Sequence, residues 1–474
     1  MSIDYRVVAR KTVGKLLAVV AFGISASPLL ADQFHYRNLI IGDRAIGLGG
    51  AFGAVSDDAS GVFYNPGGLG FALSNDVSGS ANAFFTKKIT YKKTLGSEDF
   101  VENSGGAIPS FFGVLQKLDN VSNGLVVAFG VFSTDSELKD QDDLITDATA
   151  TIKNPGIDPV NVKISRFHRA VNVRGSTYFY GIAASKRISS SFSIGLSLNY
   201  VSVEELVQEY QESRGQSIIK QDDGSETLSS DVTHQAQNIR ANLQAAGLQP
   251  VLGLQYAFLG RFSLGVTVKG GTWLKNKFEQ SFEQMQMKVG QSVSDSLANN
   301  QAVTISSTGN SGDKLAELTH LGILPEYDDA LGSMPTEARL GFAWFATPRT
   351  LFSFDATWHD AVNDAKYAGY QKDMVLNFAT GMEYYLKPSV PIRLGLFTNN
   401  DARAKIDHKK TKQRDHIDYI GESIFLAWVQ PNSQMSLGVV LQQGVGEAQK
   451  TGDLTVQEIE ADARTLAFSI SHSI

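Results

Sequence analysis

Short connections alternate with long ones along this chain, and that rhythm restricts its possible folds more than any single motif. Fourteen segments read as strands, near 76–88, 107–117, 122–134, 174–188, 191–203, 250–259, 262–274, 336–347, 350–360, 373–387, 391–400, 418–430, 433–443 and 464–474. Only a few residues join strands at Asp119 and Asn120, Ser189 and Ser190, Gly260 and Arg261, Pro348 and Arg349, Pro388 and Ser389, and Asn432 and Ser433. Every other connection is longer, reaching about sixty residues between Leu274 and Thr336. Short turns on one side and long loops on the other mark a transmembrane β-barrel, turns in the periplasm and loops outside. An even strand count returns both chain ends to the periplasmic side. A soluble sandwich has no reason to sort its connections this way.

Residues 1–31 read as a secretory signal. Arg6, Arg10, Lys11 and Lys15 form a positive region ahead of the apolar stretch from Leu16 to Leu30, and cleavage is expected after Ala31, with Leu29 at the minus-three position. The apolar run contains Ser25, Ser27 and Pro28 and is short for a membrane-spanning anchor. Removing it takes away four positive charges and Asp4, so the net charge goes from −7 to −10. No other run of eighteen apolar residues exists, and mean hydropathy is −0.11, which excludes inner-membrane helices but not a barrel of alternating strands. The absence of cysteine removes disulfides, thiol catalysis, cysteine-held zinc and a lipoprotein anchor. The acidic balance argues against a nucleic-acid partner.

The strands carry a two-residue repeat. Phe192, Ile194, Leu196, Leu198 and Tyr200 would face lipid, while Ser193, Gly195, Ser197 and Asn199 would face a lumen. The same split separates Leu264, Val266 and Val268 from Ser263, Gly265 and Thr267, and Phe352, Phe354 and Trp358 from Ser353, Asp355 and Thr357. In the last strand Leu466, Phe468 and Ile470 oppose Ala467, Ser469 and Ser471. Tyr200, Trp273, Trp344, Trp358, Tyr384, Tyr385 and Trp428 lie near strand ends, where an aromatic girdle would sit. The chain ends in Ile474 rather than an aromatic residue, and His472 falls on the lipid-facing set, which together read as a weak signal for barrel-assembly machinery.

Residues 32–75 differ from the rest. Gly47, Gly49 and Gly50 lead into Ala51 and Phe52, Asp57 and Asp58 follow, then Asn65, Pro66 and Gly67. A dinucleotide loop would need its third glycine at position 52, which is Phe52, and a βαβ unit after it. Clustered small residues suit a compact element packed tightly inside something. Asn65-Pro66-Gly67 reads as a turn. Capping of a helix or turn is the favoured role for Asp57 and Asp58 over ion binding or catalysis.

The run from Arg44 to Leu69, followed by fourteen strands, resembles the outer-membrane long-chain fatty-acid and hydrocarbon transporter family of the FadL/TodX type. Its members carry a Gly-Gly-Ala, Asp-Asp-Ala and Asn-Pro-Ala run in an N-terminal hatch. Here Asn65-Pro66-Gly67 stands where Asn-Pro-Ala is usual. The resemblance implies an all-β fold: a 14-stranded antiparallel transmembrane β-barrel over 76–474, with a hatch of residues 32–75 inside the lumen. It implies passive uptake of a hydrophobic small molecule across a Gram-negative outer membrane. It also implies that hatch movement releases ligand through a lateral gap in the wall. Gly130, in the third strand, is the candidate kink. The hatch pattern is shared by PorV-like relatives, which serve protein secretion or surface attachment, and that is the alternative function. An aqueous porin is a third reading.

Long extracellular loops are expected at about 135–173, 204–249 and 275–335. Val232, Ala236, Ile239, Leu243 and Ala246 follow a helical period, as do Phe278, Phe282, Met285, Val289 and Val293. Two such helices over a barrel mouth would either pack on each other or leave an apolar groove. Ile239, Leu243, Phe278, Phe282 and Met285 are therefore candidate ligand contacts, with Phe34, His35 and Tyr36 reaching in from the mature N-terminus. Burial of a sixteen-carbon tail at about 0.8 kcal/mol per methylene offers about 12 kcal/mol gross, and half of that gives capture at tens of micromolar. No catalytic group is needed. No nucleophile elbow accompanies the histidines: His359 beside Asp360 reads as a loop-edge hydrogen bond, and His408 and His416 as solvated. Asp135, Glu137, Asp140, Asp142, Asp143 and Asp147 lack calcium-loop spacing, although such a loop can bridge divalent ions to lipopolysaccharide. No cofactor or metal is expected; the expected contacts are the ligand, outer-membrane lipid and lipopolysaccharide.

Overall fold

A computed structural model describes residues 32–156, 158–290, 317–319 and 327–473. The expected signal segment, Val293 and Ile474 lie outside these residues. The fourteen barrel strands are β1 (Asp76–Leu95), β2 (Glu98–Lys117), β3 (Leu125–Ile152), β4 (Val160–Arg187), β5 (Phe192–Lys220), β6 (Asp231–Phe258), β7 (Phe262–Lys269), β8 (Glu337–Thr347), β9 (Thr350–His359), β10 (Val375–Lys387), β11 (Val390–Asn399), β12 (His416–Gln430), β13 (Ser433–Ala448) and β14 (Gln457–Ser473). Each pairs antiparallel with its neighbours, and β1 closes the cylinder on β14 from Asp76 opposite Ser473 to Tyr91 opposite Ile459. After a break at Gly270 and Gly271, β7 resumes as the strand Thr272–Gly290, still paired to β6.

The period-two pattern orients every strand. Ile194, Leu196, Leu198 and Tyr200 are exposed on the outer face of β5, while Ser193, Ser197 and Asn199 are buried on the inner one. In β14, Leu466, Phe468 and Ile470 face out against buried Ala467 and Ser469, and His472 is exposed among them. Of the expected girdle, Tyr200, Trp344, Tyr384 and Trp428 are exposed, whereas Trp358 and Tyr385 are half-buried and Trp273 packs inside against an apolar cluster.

Two expectations need correcting. The wall does not stop where long loops were expected. β1 and β2 run on to a turn of only Gly96 and Ser97, and β3 and β4 stay paired up to Ile152 opposite Val160. At about 3.3 Å per residue, β5 is roughly 95 Å long, where about ten residues suffice to cross a bilayer. The helices expected from the spacing of Val232 to Ala246 and Phe278 to Met285 are also absent, because both stretches are strand. Ile239 lies opposite Phe282, Leu243 opposite Phe278, and Ala236 opposite Met285. A strand also puts i and i+4 on one face. The inward row Ile239, Ala241, Leu243 and Ala245 is fully buried, while Ala236 and Ala246 fall on the other face. Backbone hydrogen bonds to the flanking strands override the helix propensity of an Ala-, Gln- and Leu-rich sequence.

Residues 32–75 pack against the inner wall. They form short helical turns at Asp43–Gly47, Gly61–Tyr64 and Pro66–Phe71. Their seat is a girdle of glycines on the inward faces of successive strands, among which Gly195 lies opposite Gly253, Gly265 opposite Gly341, and Gly381 opposite Gly395. A Cβ at Gly341 would come within 2.7 Å of Ala54 N, one at Gly381 within 2.8 Å of Leu48 O, and one at Gly113 within 2.9 Å of Ala59 Cβ. Main chain of the segment thus rests directly on main chain of the wall. At Gly67 the fit is mutual, since a Cβ there would sit 2.7 Å from Gly253 O. Asn65 holds this corner, donating to Gly53 O at 2.7 Å and to Leu254 O at 3.0 Å while accepting from Gly67 N at 2.9 Å. Gly49 and Gly50 adopt φ of 62° and 83°, which side-chain-bearing residues rarely take.

Candidate functional site

Polar residues on the inner face tie down the lower part of the N-terminal segment. Arg44 bridges Asp57 at 3.1 Å and Glu383 at 3.0 Å, Glu383 also binds Arg393 at 2.7 Å, and Arg393 reaches Asp43 at 3.4 Å. Asp43 further accepts from Gln434, Ser436 and Ser469. Asp355 accepts the N–H groups of Phe52 and Gly53 at 3.2 and 2.9 Å. Asp58 accepts from the backbone N–H of Ser60 at 2.8 Å and from its hydroxyl, so it caps the turn that follows.

Above this block, residues 32–42 run as a strap along the lumen. The His35 ring binds Asp32 at 2.7 Å and Ile417 O at 2.6 Å. Asp32 also meets Lys87 at 3.2 Å and Arg403 at 3.4 Å. Burial disfavours charge at both groups, yet the carboxylates of Asp32 and Asp401 raise the His35 pKa, and His35 with Lys87 holds Asp32 well below the usual carboxylate range. Phe34 is buried in an apolar cluster with Val173, Val203, Leu243, Phe278, Met334 and Tyr370. The Phe278 ring lies 4.6 Å from that of Tyr367, tilted by 35°, and meets Tyr370 edge-on at 5.6 Å. Sequence candidates Phe34, Leu243 and Phe278 therefore share one cluster. Ile239 and Phe282 face each other farther out along their strands, and Met285 lies beyond Phe282 on the same strand.

A cavity of about 140 Å³ adjoins that cluster. Phe63, Phe179, Val201, Val203, Trp273 and Met334 line it with apolar surface, and Gln33, Tyr36, His359 and Lys372 with polar groups, together with the carboxylates of Asp32, Asp135 and Glu337 and the Lys269 ammonium. The Tyr36 ring stacks on His359 at 3.7 Å. Among the described residues, the buried Tyr36 hydroxyl, Trp273 Nε1, His359 Nδ1 and Gln33 Nε2 have no hydrogen-bond partner. Lys372 donates to Gln33 O at 2.8 Å, and its pKa is lowered to about 8 by burial, with Asp32 opposing the shift. Sequence reasoning found His35 and Tyr36 but missed Lys372, Trp273 and His359 as cavity residues. They are scattered through the chain, and no motif links them.

The cavity has neighbours. Asp32 and Asp135 also line a smaller space of about 40 Å³ with Leu39, Phe85, Lys87, Ser104 and Tyr419. Ser104 in turn lines an open recess of about 400 Å³ with Gly105, Leu138, Lys139 and Arg174. This series of spaces reaches the wall where β2 and β3 part. Their ladder spans only Phe111 to Lys117 against Phe132 to Val126. Beyond it Pro109 has no N–H to give, and β3 shifts register against β4 between Ser133 and Asp135. The irregularity thus lies three residues past Gly130, which is itself paired with Gly181. Thr134 O, freed at the shift, accepts Leu39 N–H from the strap at 3.1 Å. Farther along, side chains close the seam again: Lys139 reaches Glu102 at 2.8 Å, and Gln141 accepts Asn103 N–H at 3.2 Å. Between these points Leu138 lies beside Gly106. A proline inside the expected strand 107–117 was the signal in the sequence.

A closed barrel of fourteen strands, apolar outside, with an internal cavity and an interrupted wall, defines the class: a closed antiparallel β-barrel. Its fold is that of the FadL/TodX-type outer-membrane transporters. A Pseudomonas aeruginosa FadL homologue superposes with TM-score 0.55 at 10% identity, covering 93% of this chain and 99% of that one. The P. putida toluene transporter TodX gives 0.53 at 12% identity over 92% and 98% of the two chains. The CymD monoaromatic hydrocarbon channel gives 0.51 at 12% over 92% and 99%. At such identities the likeness is one of fold. No protein-family model and no curated protein matches the sequence.

Proposed function

We propose that this protein sits in a Gram-negative outer membrane and passes hydrophobic small molecules bearing one acidic or hydroxyl head, without energy input or chemistry. The observation that carries the reading is the cavity: an apolar wall meeting the Tyr36 hydroxyl and the Trp273 and Gln33 side-chain N–H groups, unpartnered among the described residues, and the Lys372 ammonium, with the carboxylates of Asp32, Asp135 and Glu337 alongside. A buried donor left unpaired costs about 1–3 kcal/mol, and a ligand carboxylate or hydroxyl repays it. Its volume of about 140 Å³ suits one aromatic ring or a short length of chain. A longer tail would continue through the smaller space toward the seam. Residues 32–75 act as the hatch, blocking the straight path to the periplasm. Movement of the strap would then free the side exit between β2 and β3. Solved structures of this fold described as a toluene transporter and a monoaromatic hydrocarbon channel support a hydrophobic small molecule as the ligand, while the head group rests on the cavity alone.

Uptake of labelled palmitate, benzoate, toluene and glucose, compared between a deletion strain and its complement, tests the reading. Complementation should restore the hydrophobic compounds alone, with those carrying a head favoured at low concentration. Identical uptake of every apolar compound by both strains would remove it.

A further inference from the structure

The short-turn end of the barrel carries an uneven charge. Four successive turns, after β4, β6, β8 and β10, bring Lys186, Arg187, Arg261, Arg349 and Lys387 to the rim. No acidic residue occurs in 186–191, 259–263, 346–352 or 386–391. Lys186 donates to the Ser122 hydroxyl and Asn123 O, and Arg187 to Ser189 O and Ser190 O, so hydroxyls and carbonyls, not carboxylates, receive these cations. The whole chain is acidic at −7, which makes the arc a local reversal. Beside these cations stand apolar tips: Ile188 is 59% exposed, Leu259 82% and Leu386 53%. Trp344 and Tyr384 lie exposed just above, on strands leading into the same turns. Strands two apart lie about 10 Å from each other, so the cations are spaced along one side of the rim rather than gathered into one pocket. A single small anion would engage one of them. A surface of many anions engages all of them, and the apolar tips enter its greasy layer.

We propose that this arc docks on the anionic phospholipid headgroups of the membrane leaflet at the short-turn end, and holds them as a preferred lipid annulus. Direct contact is made by the guanidinium and ammonium groups to headgroup phosphates, while Ile188, Leu259 and Leu386 sit among the first carbons. The docking is independent of the ligand cavity, whose wall residues Phe179 and Val201 lie eight residues from Arg187 and nine from Phe192 along their strands.

The full chain is purified from vesicles of equimolar phosphatidylglycerol and phosphatidylcholine, and retained lipids are counted by native mass spectrometry. The comparison is a variant carrying Arg187→Ser, Arg261→Ser, Arg349→Ser and Lys387→Ser, with folding checked by heat-modifiable migration in SDS. Retained lipid should be enriched about tenfold in phosphatidylglycerol for the natural chain, and fall to parity in the variant. The natural chain alone should lose the enrichment in about 0.5 M salt, which needs no variant to fold. Parity in the natural chain, or enrichment surviving the four substitutions, overturns the proposal. So does displacement of the lipid by inorganic phosphate at equal concentration, or an acidic protein retained in its place.

Discussion

Gly265 offers a direct measure of how firmly the N-terminal segment is seated. A Cβ there would lie 2.6 Å from the carbonyl carbon of Gly53 and 3.0 Å from Ala54 Cα, where ordinary contact begins at 3.4 Å. These are main-chain atoms, so no rotamer change relieves the clash. In Gly265→Ala the segment must move by about 0.8 Å or more, or the wall must bend around it. Overpacking of this kind costs about 1–3 kcal/mol, and weakening the hydrogen bonds from Phe52 and Gly53 to Asp355 adds about 1.5–3 kcal/mol, giving about 2.5–6 kcal/mol in all. Gly130→Ala is the control, since the nearest atom to its Cβ is 3.7 Å away and belongs to an aromatic ring. Single-channel recording in planar bilayers reads the outcome. Gly265→Ala should show steady ionic openings that the natural chain and Gly130→Ala lack, along with faster cleavage of residues 43–72 by added protease. A silent Gly265→Ala channel with unchanged protease resistance would refute the backbone-on-backbone seat. Equal openings in both variants would do the same.

Replacing Lys372 by Met should weaken binding of a carboxylate ligand tenfold to a hundredfold, at about 1.5–3 kcal/mol per charged hydrogen bond, and leave toluene binding unchanged in a fluorescence titration. Because its pKa is lowered to about 8, the natural chain should lose carboxylate affinity as pH rises from 7 to 9.5, and Lys372→Met should not. Leu138→Trp, beside Gly106 in the seam, should slow uptake in cells while equilibrium binding to purified protein stays within about twofold; a parallel loss of binding would place Leu138 in the cavity instead. Burial pushes the Asp58 carboxyl up to about 7, Ser60 hydrogen bonds opposing while Asp57 and Asp76 add to the rise. A raised acid favours the packed state when protonated, so this contribution is whole below pH 3.8 and is lost as pH rises through 7. Protease resistance of residues 43–72 should therefore decline from pH 5 to 8 in the natural chain and stay flatter in Asp58→Asn.

The wall was legible because lipid on one side and a packed lumen on the other force strict alternation, and rows such as Leu196, Leu198 and Tyr200 against Ser197 and Asn199 report it residue by residue. The upper strands were not. Ile239, Leu243 and Phe278 satisfy a helical and a strand spacing equally, and only pairing with distant neighbours decides between them. The seam was hidden for a related reason: a missing ladder is a property of two strands, and Pro109 is its one local trace. The cavity was least visible, since Tyr36, Trp273, His359 and Lys372 converge only after the cylinder has closed.

A joint made by bare polypeptide meeting bare polypeptide has an unusual tolerance. It asks almost nothing of which side chains either partner carries, only that certain positions carry none. Sequences could drift far apart over most of their length while the inner segment keeps its place, and the record of that constraint would be a scatter of isolated vacancies rather than a recognisable word.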